Sequence, residues 1–232
     1  MVAFVPDRLE GCDARWFCNS FIVRGLLFAV SLAGKLRQPG SMNFRLPSLD
    51  GIRVAVLVTD GFEETEFTEP IDQLERAGAM VEVITPDDQS QVRAWSDEKA
   101  DWSEEHTVDL CIADADVEDY DALILPGGVL NPDTLRTDEE ALEFVEQFQR
   151  KGLLVAAICH APQILVNAID LKDRKVTSFE SVREDLENAG AEVVDQSVVV
   201  HDNLITSRNP GDLDEFIDAI AELLVMRSAV LV

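Results

Sequence analysis

At 232 residues the chain is long enough to bury one substantial α/β core without disulfide or metal staples. Its 45 acidic residues outnumber 19 basic ones and leave a formal charge of −26, which argues against nucleic acid and anionic membrane as partners. Four scattered cysteines, Cys12, Cys18, Cys111 and Cys159, form neither a disulfide framework nor a zinc pattern, so a reducing, cytoplasmic setting with no metal and no cofactor is expected. Only five of the basic residues are lysines, and the acids are spread along the chain, as in proteins adapted to strong salt, where screening relieves self-repulsion.

Residues 1–41 differ from the rest. Five basic residues (Arg8, Arg15, Arg24, Lys35, Arg37) against three acids (Asp7, Glu10, Asp13) give this segment +2, which leaves −28 for the remainder. Gly25 to Gly34 has the apolar character of an export-signal core but is too short to span a bilayer. Acids, Trp16 and Phe17 ahead of it do not suit such a signal. Residues 1–41 are therefore expected to be an extension outside the fold, with residues 42–232 as the α/β domain and export as the minority reading.

From Ile52 apolar runs and helical patterns alternate. Arg53 to Val58 predicts a strand, and Glu64 to Ala77 a helix interrupted or restarted at Pro70 and ended by Gly78. Met80 to Thr85 is the second strand. The polar stretch 86–107, with Trp95 and Trp102, suits short hairpin strands. Ala122 to Leu125 is a strand closed by Pro126-Gly127-Gly128, and Asp138 to Lys151 a helix with Leu142, Val145 and Phe148 inward. Leu153 to Ile158 reads as a strand buried on both faces. A helix opens at Pro162, followed by a strand over Val176 to Phe179 and a helix over Val182 to Ala189. A hairpin pairs Ser197 to Val200 with Leu204 to Ser207, and a last helix runs from near Pro210 to about Met226. This alternation implies a doubly wound, mostly parallel sheet, whose functional edge is where the strands end.

That edge gathers the candidates. Cys159 falls where an apolar strand turns abruptly into a helix, the position of a nucleophile elbow, with small Ala157 and Ala161 beside it and His160 next. A cysteine in an apolar strand is ordinarily a small hydrophobe. The strand-to-helix switch and the adjacent histidine favour a reactive thiol, which the helix amino terminus should make more acidic than a free cysteine. Glu63 and Glu66, three apart at the opening of a helix, share a face in this reading and put a carboxylate near the thiol, although acids also suit a helix start for its dipole alone. Gly127 and Gly128 either form a simple tight turn or offer backbone N–H groups to an oxyanion.

Asp60-Gly61-Phe62-Glu63, Leu125-Pro126-Gly127-Gly128, Ala157-Ile158-Cys159-His160-Ala161-Pro162-Gln163 and Thr206-Ser207-Arg208-Asn209-Pro210 together resemble the PfpI family of intracellular proteases and deglycases, over roughly residues 51 to 226. The resemblance implies a flavodoxin-like fold of the class I glutamine amidotransferase-like superfamily, with Cys159 as nucleophile, Glu66 as the carboxylate touching it, Glu63 beside that, and His160 as the adjacent histidine. It also implies a homo-oligomer with a shared site, in which an acid of the neighbouring subunit orients the histidine. Asp133 stands near the matching position. The downstream His-x-Glu of a true amidotransferase is missing: His201 is followed by Asp202 and Asn203 in a hairpin turn and reads as structural. Glutamine hydrolysis is not expected. His106 reads as a solvated loop residue.

Two function classes fit these residues. One is a cysteine-dependent hydrolase or lyase acting on glycated or reactive-carbonyl substrates, or on peptides. The other is a noncatalytic redox-sensing stress protein or chaperone, with Cys159 cycling through sulfenic acid.

Overall fold

Alternate residues of the central strands feed two different cores, because side chains of a strand point to opposite faces. A computed structural model describes residues 46–229; the 1–41 extension, its signal-like stretch and Met42 lie outside the described residues. In β1 (Arg53–Leu57), Val54 and Val56 enter one apolar cluster while Ala55 and Leu57 enter the other. α1 (Glu64–Arg76) and β2 (Met80–Thr85) follow, then the antiparallel hairpin of β3 (Gln91–Ser96) and β4 (Asp101–Thr107) and the two-residue β5 (Leu110–Cys111). β6 (Ala122–Leu125) leads to the short α2 (Leu130–Leu135) and to α3 (Glu139–Arg150). β7 (Leu154–Ile158) is fully buried, as its unbroken apolar run requires, and turns into α4 (Pro162–Ala168). β8 (Lys175–Val176), α5 (Arg183–Asn188), β9 (Glu192–Val193), the hairpin β10 (Val198–His201) and β11 (Leu204–Ser207), and α6 (Leu213–Ser228) complete the order.

The main sheet runs β10-β11-β7-β6-β1-β2-β5, parallel throughout except where β10 pairs antiparallel with β11. One core takes Phe67 and Leu74 of α1 with Phe216, Ile217 and Ile220 of α6. The other takes Phe144, Val145 and Phe148 of α3, Ile164 and Leu165 of α4, and Leu186 of α5. Helices thus cover both faces, which is the doubly wound, flavodoxin-like α/β arrangement. Among the described helices none is long and apolar enough to cross a membrane.

Three local expectations are corrected. α1 is continuous through Pro70, whose ring removes one backbone bond while its body joins Phe67 and Leu74 in the buried face. The strand expected over Val176 to Phe179 shrinks to β8, paired with β9 outside the main sheet. The Thr177 N–H goes instead to Thr206 Oγ1 at 2.9 Å, and the Phe179 N–H to the Cys159 carbonyl at 2.9 Å. His106 is no loop residue; it lies in β4 with its ring 4.9 Å from that of Phe67. His201 has the structural role expected of it, its Nδ1 accepting the Lys175 N–H at 3.1 Å.

Candidate active site

The carboxyl ends of β1, β6 and β7 meet at one point of the sheet edge, and Cys159 stands there with φ of +62°, in the left-handed region that a residue with a Cβ rarely enters. Its N–H donates to the Ser207 carbonyl at 3.1 Å and its own carbonyl accepts from Phe179, so hydrogen bonds on both sides hold the turn. The side chain is 3 % exposed. Sγ lies 3.1 Å from Nδ1 of His160, and Nε2 of that ring lies 3.2 Å from Ser181 Oγ. The imidazole also stacks on Phe179, with centroids 4.4 Å apart. Ser181 and Phe179, neither singled out as a site residue from the sequence, thereby fix the ring within a single chain. Burial pulls the His160 proton affinity down, and the Asp97 carboxylate works weakly against it.

Glu66 is fully buried on α1, with Oε2 accepting the Gly127 N–H at 2.9 Å. Burial, then the nearby Glu63 charge, push its carboxyl up to about 8, against the hydrogen bonds to Cys159 and Gly127. Oε1 has no partner of regular hydrogen-bond geometry; the Cys159 thiol is the group to which the carboxyl couples. Glu63 does not share a helical face with it. It is the N-cap of α1, where Oε2 accepts the N–H groups of Thr65 and Glu66 at 2.8 and 2.9 Å. Glu63 therefore positions the helix start and acts on Glu66 through charge.

The surroundings of Cys159 oppose the ionisation that the helix-terminus argument expects. Desolvation, then the charge and hydrogen bond of Glu66, raise the thiol well above a free cysteine, outweighing the N–H groups of His160 and Gly128 that favour the thiolate. The two glycines also separate in role. The Gly127 N–H is committed to Glu66 and is not free for an oxyanion, whereas Gly128, at φ of +75°, turns its N–H toward the sulfur. Buried Asn131, also absent from the sequence reading, holds this loop: Oδ1 accepts the Thr59 N–H at 2.8 Å and Nδ2 donates to the Pro126 carbonyl at 2.9 Å. Asp133 lies exposed on α2, away from the hydrogen bonds that orient His160. Among the described residues no group of His, Cys, Asp and Glu could hold a metal.

A carboxyl that holds its proton more tightly in the folded chain than in the unfolded one stabilises the fold while protonated. That contribution is complete below the ordinary value of 4.5 and is lost as pH rises to about 8. Glu66→Gln should remove this slope, so its thermal midpoint should gain on the wild type between pH 5 and 8; parallel midpoint curves would refute the raised Glu66.

A doubly wound α/β domain with a strained cysteine at a strand-to-helix elbow and a buried glutamate against it defines a class of cysteine-centred proteins built on the sheet edge. The sequence comparisons narrow that class. The chain belongs to the DJ-1/PfpI family, whose family model matches residues 52–223. It is 47 % identical over 166 residues to an uncharacterized protein of Staphylococcus epidermidis, covering 71 % of this chain and 92 % of that one. An uncharacterized protein of Staphylococcus aureus is 46 % identical, with 71 % and 93 % covered. Among solved structures, Drosophila melanogaster DJ-1beta superposes with a TM-score of 0.67 at 31 % identity, covering 75 % of this chain and 90 % of that one. A two-domain Anabaena variabilis protein with DJ-1/ThiJ/PfpI-like and ferritin-like domains gives 0.69 at 35 % identity; the match covers 74 % of this chain and about half (49 %) of that one.

Proposed function

We propose that the protein is a cysteine-dependent enzyme acting on small reactive carbonyls or the adducts they form, in the manner of a glyoxalase or deglycase. The coupling of a strained, buried Cys159 thiol to a glutamate with proton affinity near 8 carries this reading. Of the two bases near the sulfur, Glu66 is the stronger, since burial weakens His160. As Sγ attacks the carbonyl carbon, the Glu66 carboxylate takes the thiol proton and the carbonyl π pair moves to oxygen, near the Gly128 and His160 N–H groups. Return of the proton to that oxygen gives a neutral hemithioacetal. With methylglyoxal, transfer of the C1 proton to C2 converts it to a thioester, which water hydrolyses to lactate.

The 3 % exposure of Cys159 favours a small aldehyde over a folded or extended peptide. The purified chain should therefore consume methylglyoxal and leave an unstructured peptide intact; peptide cleavage without carbonyl turnover would reverse the assignment. A redox-sensing role is the second reading, favoured by the buried Glu66 Oε1, which when protonated would donate to an oxygen added to the sulfur by a peroxide.

A homo-oligomer with Asp133 of one subunit serving His160 of another belongs to the same proposal, as does a cytoplasmic location. Mixing inactive Cys159→Ser and Asp133→Ala subunits should then restore part of the activity. No recovery in proven mixed oligomers would leave His160 oriented by Ser181 and Phe179 of its own chain.

A further inference from the structure

Beside the Cys159 turn lies a cavity of about 280 Å³ lined by Gly61, Trp95, Asp97, Val129 and Leu130. The link to the thiol is short. Gly128, whose N–H faces the sulfur, packs so tightly on the Gly61 carbonyl that a Cβ at 128 would come within 2.5 Å of it. One wall of the cavity is thus the backbone that also shapes the site. The β3–β4 hairpin also lines it through Trp95 and Asp97, and is tied to the same loop by the Trp95 N–H to the Phe62 carbonyl at 2.7 Å and the Gly61 N–H to the Arg93 carbonyl at 2.8 Å.

The lining is apolar except for Asp97, an exposed carboxylate with no hydrogen bond or ion pair among the described residues. Lys99, two residues on, is directed instead at Glu64 Oε2, 3.9 Å away. Asp97 reaches the site electrostatically, since its charge is felt at both His160 and Glu66. The same hairpin already holds a guanidinium over an indole, with Arg93 5.6 Å from the Trp102 ring centre, and the Trp95 and Trp102 rings stand nearly perpendicular with centroids 5.8 Å apart.

We propose that this cavity is a subsite for the non-reacting end of the substrate and selects a cationic end, an ammonium or guanidinium on an apolar stem, through Asp97 and the Trp95 ring. A carboxylate or sulfonate there would meet Asp97 with no cation among the lining residues to offset it, whereas a cation gains charge attraction and an aromatic neighbour. The proposal rests on Cys159 as the reacting group, so the test reads the cavity separately from turnover.

Cys159 in the full chain is labelled with two methanethiosulfonates that differ only in the tail, trimethylammonioethyl or sulfonatoethyl, and with the neutral methyl reagent. In each case the sulfur displaces methanesulfinate and forms a mixed disulfide, followed on the Cys159 peptide by mass spectrometry. The cationic tail should react faster than the anionic one, and Asp97→Asn should reduce that ratio roughly fivefold. Glu140→Gln, an equal charge change on α3, controls for the field of the whole acidic chain and should leave the ratio in place. Trp95→Leu should slow the cationic reagent and spare the neutral one.

A ratio that responds equally to Asp97→Asn and Glu140→Gln would overturn the subsite, as would a Cys159 that reacts with no reagent carrying a tail. Rates for both tails that fall together as protein concentration rises would mean that a second copy covers the cavity, and would overturn it too. Methylglyoxal turnover of the same preparations separates the two ideas. Absent turnover with an Asp97-dependent ratio refutes the enzymatic reading alone, and normal turnover with a flat ratio refutes the subsite alone.

Discussion

Gly127→Ala should remove nearly all carbonyl turnover and destabilise the fold by about 1–3 kcal/mol, as overpacking of a filled interior does. A Cβ at this position would lie 2.5 Å from Glu66 Oε2, 2.7 Å from the Cys159 Cβ and 2.9 Å from the Ile158 carbonyl oxygen. Two of these neighbours cannot give way cheaply, because one is backbone and the other is held by the strained turn. The third is the carboxyl that the Gly127 N–H fixes. Relief of the clash therefore moves Glu66 away from the thiol or opens β6 from β7, and either change separates base from nucleophile. Thermal unfolding and methylglyoxal kinetics on the variant check both effects. Wild-type activity at a wild-type midpoint would mean that the β6 turn is looser than the structure shows.

Much of this geometry was legible in residue order. The unbroken apolar run Leu153 to Ile158 meeting Pro162 marks a buried strand followed at once by a helix, so the elbow could be placed on Cys159 without any long-range information. Glycine and proline punctuation likewise placed the ends of β6 and α1. Contacts between elements distant in sequence were not legible. Nothing local to Gly127 shows that its N–H points at Glu66, and nothing near Ser181 shows that it reaches His160. Asn131 looks like an ordinary turn residue until its amide is seen bridging Thr59 and Pro126.

The influences that oppose thiol ionisation were hidden for the same reason. A helix terminus is a local cue that favours the thiolate, whereas the desolvation and the Glu66 charge that oppose it come from residues distant in sequence, Glu66 of α1 and the Gly127 turn, brought against Cys159 by the fold. The short pairs β5, β8 and β9 carry too few residues for any hydrophobic period to show. Glu63 illustrates the opposite error, in which a carboxylate near the site by sequence proved to be a helix cap.

Cys159→Ser tests the central claim most directly. A serine hydroxyl, though smaller than the thiol, keeps a polar group on the same turn but resists ionisation far more, and Glu66 with proton affinity near 8 is too weak a base to activate it. Measured as kcat/KM for methylglyoxal on folded protein, the variant should fall by on the order of 10³ or more relative to the wild type. A Cys159→Ser protein that consumes methylglyoxal at the wild-type rate would contradict the assignment of Cys159 as the nucleophile.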